Sequence, residues 1–133
     1  MQNAHCSSTF AEFDHGSLSL PGRTVDFSTL AWNPHPAFPG VALKHIVTAA
    51  DCDGRFSYHL VRIEPGKAIL DHVHDMQLET HEVVHGTGSC VNNGIQLSYR
   101  PGVVTILERG ARHEVHAGED GLLLFAKFIP ALC

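Results

Sequence analysis

The chain predicts an all-β fold, and three observations carry that prediction. Turn chemistry recurs at short intervals from Phe27 onward, the pieces between turns are rich in Val, Ile, Leu, Phe and Tyr, and no long stretch carries a helical period. Many short strands at this spacing mean a sandwich or a barrel.

In chain order, the opening is polar, with Ser7-Ser8-Thr9 and Gly16 to Arg23, and residues 1–26 are expected to form a flexible arm. Residues 27–133 are expected to form a single β-barrel domain. The segment from Trp32 to Gly40 holds Pro34, Pro36 and Pro39, which remove ladder donors and fix φ, so it cannot be a central strand. It reads as an extended strap with Trp32 and Phe38 packed onto the body. Turns are expected at Asp51 to Gly54, Pro65-Gly66, Asn93-Gly94, Pro101-Gly102, Arg109-Gly110 and Gly118 to Gly121. Between them, Arg55 to Ile63, Glu82 to His85, Ile95 to Arg100, Val103 to Leu107 and Leu122 to Ile129 read as strands. Asn93-Gly94 between apolar flanks is a hairpin signal. The unalternated run Leu122 to Ala126 suits a strand buried on both faces, one against the barrel and the other against a partner subunit or the strap.

Composition narrows the function. The 133 residues carry a net charge of −5 at pH 7, with no Lys/Arg cluster, which excludes a nucleic-acid phosphate backbone as partner. The run at Leu122 is far too short for a bilayer, and the opening MQNAHCSSTF lacks a basic stretch and an apolar core. A cytoplasmic protein away from membranes is expected. Cys6, Cys52, Cys90 and Cys133 are scattered without a C-x-x-C pair and read as free thiols.

The chain also holds 11 histidines, more than its 9 lysines and arginines together. His72 and His74, at i and i+2 on a strand, present two imidazoles on one face. A turn through Asp75, Met76 and Gln77 returns Glu79 on the next strand, and His113 follows about thirty residues further on. Three neutral nitrogens and one carboxylate oxygen make a mixed ligand set for a divalent transition metal, with positions left open for water, substrate or O₂. No cysteine lies in these segments, which argues against a closed thiolate zinc site.

These segments resemble the cupin family. Its first motif, G-x5-H-x-H-x3–4-E-x6-G, is met at Gly66, His72, His74, Glu79 and Gly86. Its second, G-x5-P-x-G-x2-H-x3-N, is met at Gly102, Gly110 and His113, with Glu108 in place of Pro and Ala117 in place of Asn. Neither departure touches a metal ligand. The resemblance implies a small cupin-type β-barrel, a jelly-roll-like double-stranded β-helix, with His72, His74, Glu79 and His113 holding Fe, Mn or Ni, or else Zn. It also implies a homodimer.

Further residues follow by parity. His81 and His85 continue the alternation from Glu79 and are expected to face the interior as catalytic proton carriers or hydrogen-bonded core histidines. On the strand from Arg55, Phe56, Tyr58, Leu60 and Arg62 share one face, and Ser57, His59, Val61 and Ile63 share the other; parity does not say which is inward. An inward Tyr58 would act in catalysis and an inward Arg62 would grip a substrate carboxylate. Gln77, beside the ligands, is a candidate substrate contact. The expected function is a metal-dependent, dioxygenase-like enzyme acting on a small organic molecule. The alternatives are a cupin isomerase or lyase, and a non-catalytic module that binds or senses a metal or small ligand.

Overall fold

The computed structural model describes residues 3–133, with side chains from Thr9 onward. It is dominated by antiparallel strands. The elements are helix α1 (Asn3–Asp14), strands β1 (Ser17–Leu20), β2 (Arg23–Asp26), β3 (Asn33–Pro34) and β4 (Val41–Val47), and helix α2 (Ala49–Cys52). Strands β5 (Ser57–Ile63), β6 (Ala68–His72), β7 (Leu78–Asn92), β8 (Ile95–Tyr99), β9 (Val104–Leu107) and β10 (His113–Ile129) complete it. Among the described residues, no helix is long and apolar enough to cross a membrane.

The barrel is organised by its two longest strands, β7 and β10, which pair along most of their length. The second half of β10, from Leu122 to Phe128, also pairs with β5, and its first half, from His113 to His116, pairs with β6. Likewise the first half of β7 pairs with β9 and the second half with β8. Each long strand therefore serves two layers, and the bend lies where the β7–β10 register breaks, between Ala117 and Leu122. Gly86 makes that bend possible. It sits at φ 86°, and a methyl group there would lie 1.9 Å from the Gly121 carbonyl oxygen.

The hairpin signal holds: Asn93 (φ 52°) and Gly94 (φ 85°) join β7 to β8 with both central residues left-handed. The strap holds as well. Its only regular part is the two-residue edge strand β3 on β4, while Trp32 and Phe38 pack onto the body.

The segment expected as a flexible arm is built differently. Residues 3–26 form α1 and the β1–β2 hairpin, and Phe10 is buried with Phe27, Ile46, Leu60 and Phe125 on the outer face of the sheet. Its ring stacks on Trp32 and Phe125, each at 6.0 Å. Lys44, only 3% exposed, fastens the helix end, donating to the carbonyl oxygens of Asp14 (2.9 Å) and Phe27 (2.8 Å) and pairing with the Asp14 carboxylate. Among the described residues of this helix, Phe10 and Phe13 are the large apolar side chains that meet the sheet, too few for a helical period to show in the sequence. This layer also explains the unalternated run in β10. Leu122, Leu124 and Ala126 fill the barrel, while Leu123 and Phe125 meet the outer cluster beneath α1.

Candidate metal centre and cavity

β6 and β10 set the first half of the site. His72 ends β6 directly opposite His113, the first residue of β10, and their ring centroids lie 4.3 Å apart. His74 follows in the loop after β6, and Glu79 is the second residue of β7, bonded into the barrel on its β10 side. The four residues each offer a ligand atom, and those atoms all lie within 4.8 Å of one another. Glu79 and His113 are buried, and His72 and His74 are half-buried at the open side.

Hydrogen bonding fixes which atoms of His72, His113 and Glu79 face the centre. His72 Nδ1 lies 2.8 Å from the Leu70 carbonyl oxygen and His113 Nδ1 3.1 Å from that of Ala111, so both carry their proton on Nδ1 and turn a bare Nε2 inward. Glu79 divides its oxygens. Oε2 accepts from His81 Nε2 at 2.7 Å, and Tyr99 Oη donates to His81 Nδ1 at 2.8 Å. Oε1 stays free, 3.1 Å from His113 Nε2 and 3.8 Å from His74 Nε2. Among the described residues, neither Glu79 Oε1 nor His113 Nε2 has a hydrogen-bond partner, although both are sealed from water. Two buried lone-pair atoms turned toward each other leave a polar deficit that a cation between them removes. The donor set fits a divalent transition metal.

The electrostatics agree. Burial alone would raise the Glu79 carboxyl, but His81 and His113 beside it hold it well below the usual carboxylate range, so the ligand is anionic. Burial pushes His72 and His74 down, keeping them neutral and able to donate a lone pair. His113 differs: burial opposes its charged form, but the neighbouring Glu79 outweighs burial and raises the imidazole, so a metal ion there competes with a proton at Nε2. Burial first, and the Cys90 thiol second, push Tyr99 up, so its hydroxyl remains a donor to His81.

The centre opens on a cavity of about 320 Å³. Leu43, Val61, Ile69, Phe128 and Leu132 form its apolar walls, and Asn33 to Pro36 of the strap line another side. His35 shapes the strap by accepting from the amides of Ala37 (3.0 Å) and Phe38 (3.3 Å). A small organic molecule fits such a space.

Sequence reading and structure part company at four of the nine candidate positions. The inward face of β5 is Ser57, His59, Val61 and Ile63, all buried. Tyr58 therefore lies outside the barrel, packed edge-on against Phe125 with Lys127 over its ring, and does not reach the cavity. Arg62 is exposed on the same outer face, 4.2 Å above the Trp32 ring, where it cannot grip a ligand in the barrel. His85 is turned outward by a bulge: Leu124 pairs with Val83 and Leu123 with His85, so Val84 is an extra residue that breaks the alternation. Gln77 contacts the Ala131 carbonyl oxygen at 3.5 Å and does not line the cavity. His81 does face inward, as parity predicts, but both its nitrogens are engaged.

Tyr99 and His45 are the site residues that sequence reading missed. Tyr99 stands opposite Gly88 across the β7–β8 pair, a placement visible only once the two strands are registered. His45 belongs to β4, a strand whose apolar pattern is interrupted by Lys44 and His45 itself.

No protein-family profile and no curated protein sequence matches the chain. Solved structures do. KdgF from Halomonas sp. is 20% identical with a TM-score of 0.65, over 75% of this chain and 86% of that one. The polyketide cyclase RemF from Streptomyces resistomycificus is 18% identical with a TM-score of 0.68, over 81% of this chain and 78% of that one. An RmlC-like cupin from Shewanella frigidimarina is 14% identical with a TM-score of 0.68, over 79% of this chain and 87% of that one. The chain has the cupin fold.

Proposed function

We propose that this small cupin-fold protein is a metal-dependent enzyme, dioxygenase-like, acting on a small organic substrate. The observation that carries the reading is the convergence of His72, His74, Glu79 and His113 on one point at the floor of a substrate-sized cavity, with Glu79 Oε1 and His113 Nε2 left without partners. When bound, a divalent transition metal would supply a positive centre for O₂ or for an oxygen atom of the substrate. The chain's own residues do the rest. His81 and Tyr99 orient Glu79 so that one oxygen stays free for the ion, and His81, bonded at both nitrogens, acts as a positioning residue. Val61, Ile69 and Phe128 hold the apolar body of the substrate and exclude water.

The test is oxygen uptake by protein reconstituted with Fe²⁺, Mn²⁺ or Ni²⁺ and presented with small carboxylic, enolic and phenolic substrates. Uptake that requires both metal and Glu79 supports the reading. Turnover that persists without O₂ would favour the isomerase or lyase alternative, which the polyketide cyclase among its structural neighbours makes reasonable on this fold. Tight ligand binding without product would leave a binding module.

A further inference from the structure

Beyond the four-residue centre, the barrel brings together a second set of metal-ligating side chains. His45 on β4 pairs directly with His59 on β5, and their Nδ1 atoms lie 2.8 Å apart. Cys133 joins them from the other end of the chain; each of the three residues offers a ligand atom, and those atoms lie within 4.8 Å of one another. We propose that His45, His59 and Cys133 form a second site, for a thiophilic divalent cation of the Zn²⁺ kind.

The segment that carries the cysteine is held in place. Ala131 N–H donates to the Gly54 carbonyl oxygen (3.0 Å), Leu132 N–H to Ser57 Oγ (2.9 Å), and the Cys133 carbonyl oxygen accepts from Ala49 N–H (2.7 Å). Consecutive residues are thus pinned beside the imidazole pair. The same Ser57 Oγ lies 2.7 Å from His59 Nε2, so one hydroxyl fixes both the tail and the ring. His59 is fully buried, and burial pushes its pKa down to about 4 while also lowering His45, so both rings are neutral donors at pH 7. Two nitrogens and a sulfur suit a borderline-soft ion.

The proton balance closes. A single proton lies between the two Nδ1 atoms. Metal binding through both Nδ1 atoms requires both imidazoles as Nε2–H tautomers, with His59 Nε2–H donating to Ser57 Oγ. The nitrogens then separate to roughly 3.3 Å, the spacing of tetrahedral Zn–N bonds. The net proton released is that of the Cys133 thiol, whose pKa partial desolvation pushes up at this otherwise exposed residue. Phe128 separates the two centres, its ring 5.4 Å from His59 and 5.0 Å from His74.

Cobalt(II) titration of metal-free protein tests the assignment, because thiolate–cobalt bonds absorb in the near ultraviolet. The wild type should take two cobalt ions and develop the thiolate band, and two equivalents of Zn²⁺, one for each site, should abolish it. The band should persist in a His72→Ala, Glu79→Gln double variant and vanish in Cys133→Ser and in His45→Ala, each checked for wild-type circular dichroism. Cys133 is exposed, so its serine variant leaves the core intact. No band in the wild type, a band that survives His45→Ala, or loss of the band with His72 and Glu79 would each overturn the proposal.

Discussion

His81 Nε2 sits 2.7 Å from Glu79 Oε2 and, two residues along the same strand, shares its inward face, so one carboxylate oxygen is spoken for and the other is presented to the centre. This division makes Glu79 a directed ligand. Tyr99, across the strand pair, holds the far side of the imidazole.

Replacing Tyr99 by Phe removes the donor to His81 Nδ1 while keeping the ring. We expect a stability loss of about 1–3 kcal/mol, since a buried acceptor is left bare. Metal affinity at the Glu79 centre should fall about 10–100-fold, as Glu79 loses its orientation. Chemical denaturation and competitive chelator titration measure the two effects; unchanged affinity would mean that the relay does not position the ligand.

The outer layer gives a prediction that runs against the flexible-arm reading. Phe10→Ala opens a cavity among Phe27, Leu60 and Phe125 and should destabilise the whole domain by about 3 kcal/mol. Urea unfolding followed by Trp32 fluorescence is the measurement, because Trp32 stacks on Phe10. If residues 3–14 were a loose appendage, the midpoint would not move.

Gly86 and Gly94 both have positive φ but differ in surroundings. Gly86→Ala drives a methyl group into the Gly121 carbonyl and should cost more than about 4 kcal/mol. Gly94→Ala, in open space at the hairpin, should cost about 1–2 kcal/mol. Similar melting temperatures for the two variants would contradict the bend assigned to Gly86.

Stability of the metal-free protein should fall on acidification. His59 has a folded pKa lowered to about 4, chiefly by burial and secondarily by His45, with Glu79 opposing. Between about pH 4 and pH 6.5 the unfolded chain therefore binds a proton that the native state refuses. The stabilisation is complete above that window and is lost as pH falls through it, by up to about 3 kcal/mol. Denaturation curves across pH 4–7 should steepen there in the wild type and flatten in His59→Gln.

Much of this was legible in the sequence because it is local. The i, i+2 histidines, the short turn to Glu79 and the Asn93-Gly94 hairpin are each specified within a few residues. Glycine-bounded motifs then placed His113 beside them. What escaped depends on pairing at a distance. His45 meets His59 and Cys133 only through strand register and a pinned tail. The inward face of β5 is decided by α1 covering Leu60, which makes both faces apolar. His85 was misplaced by a single extra residue, Val84, which no alternation rule can foresee.

The central claim is that His72, His74, Glu79 and His113 hold a metal ion, and equilibrium metal analysis in a Cys133→Ser background tests it most directly. That background should bind one divalent transition metal per chain after reconstitution and dialysis, and lose it on His72→Ala or Glu79→Gln with the fold preserved. A folded protein that takes up no metal at these residues, or that retains it in both variants, would contradict the account.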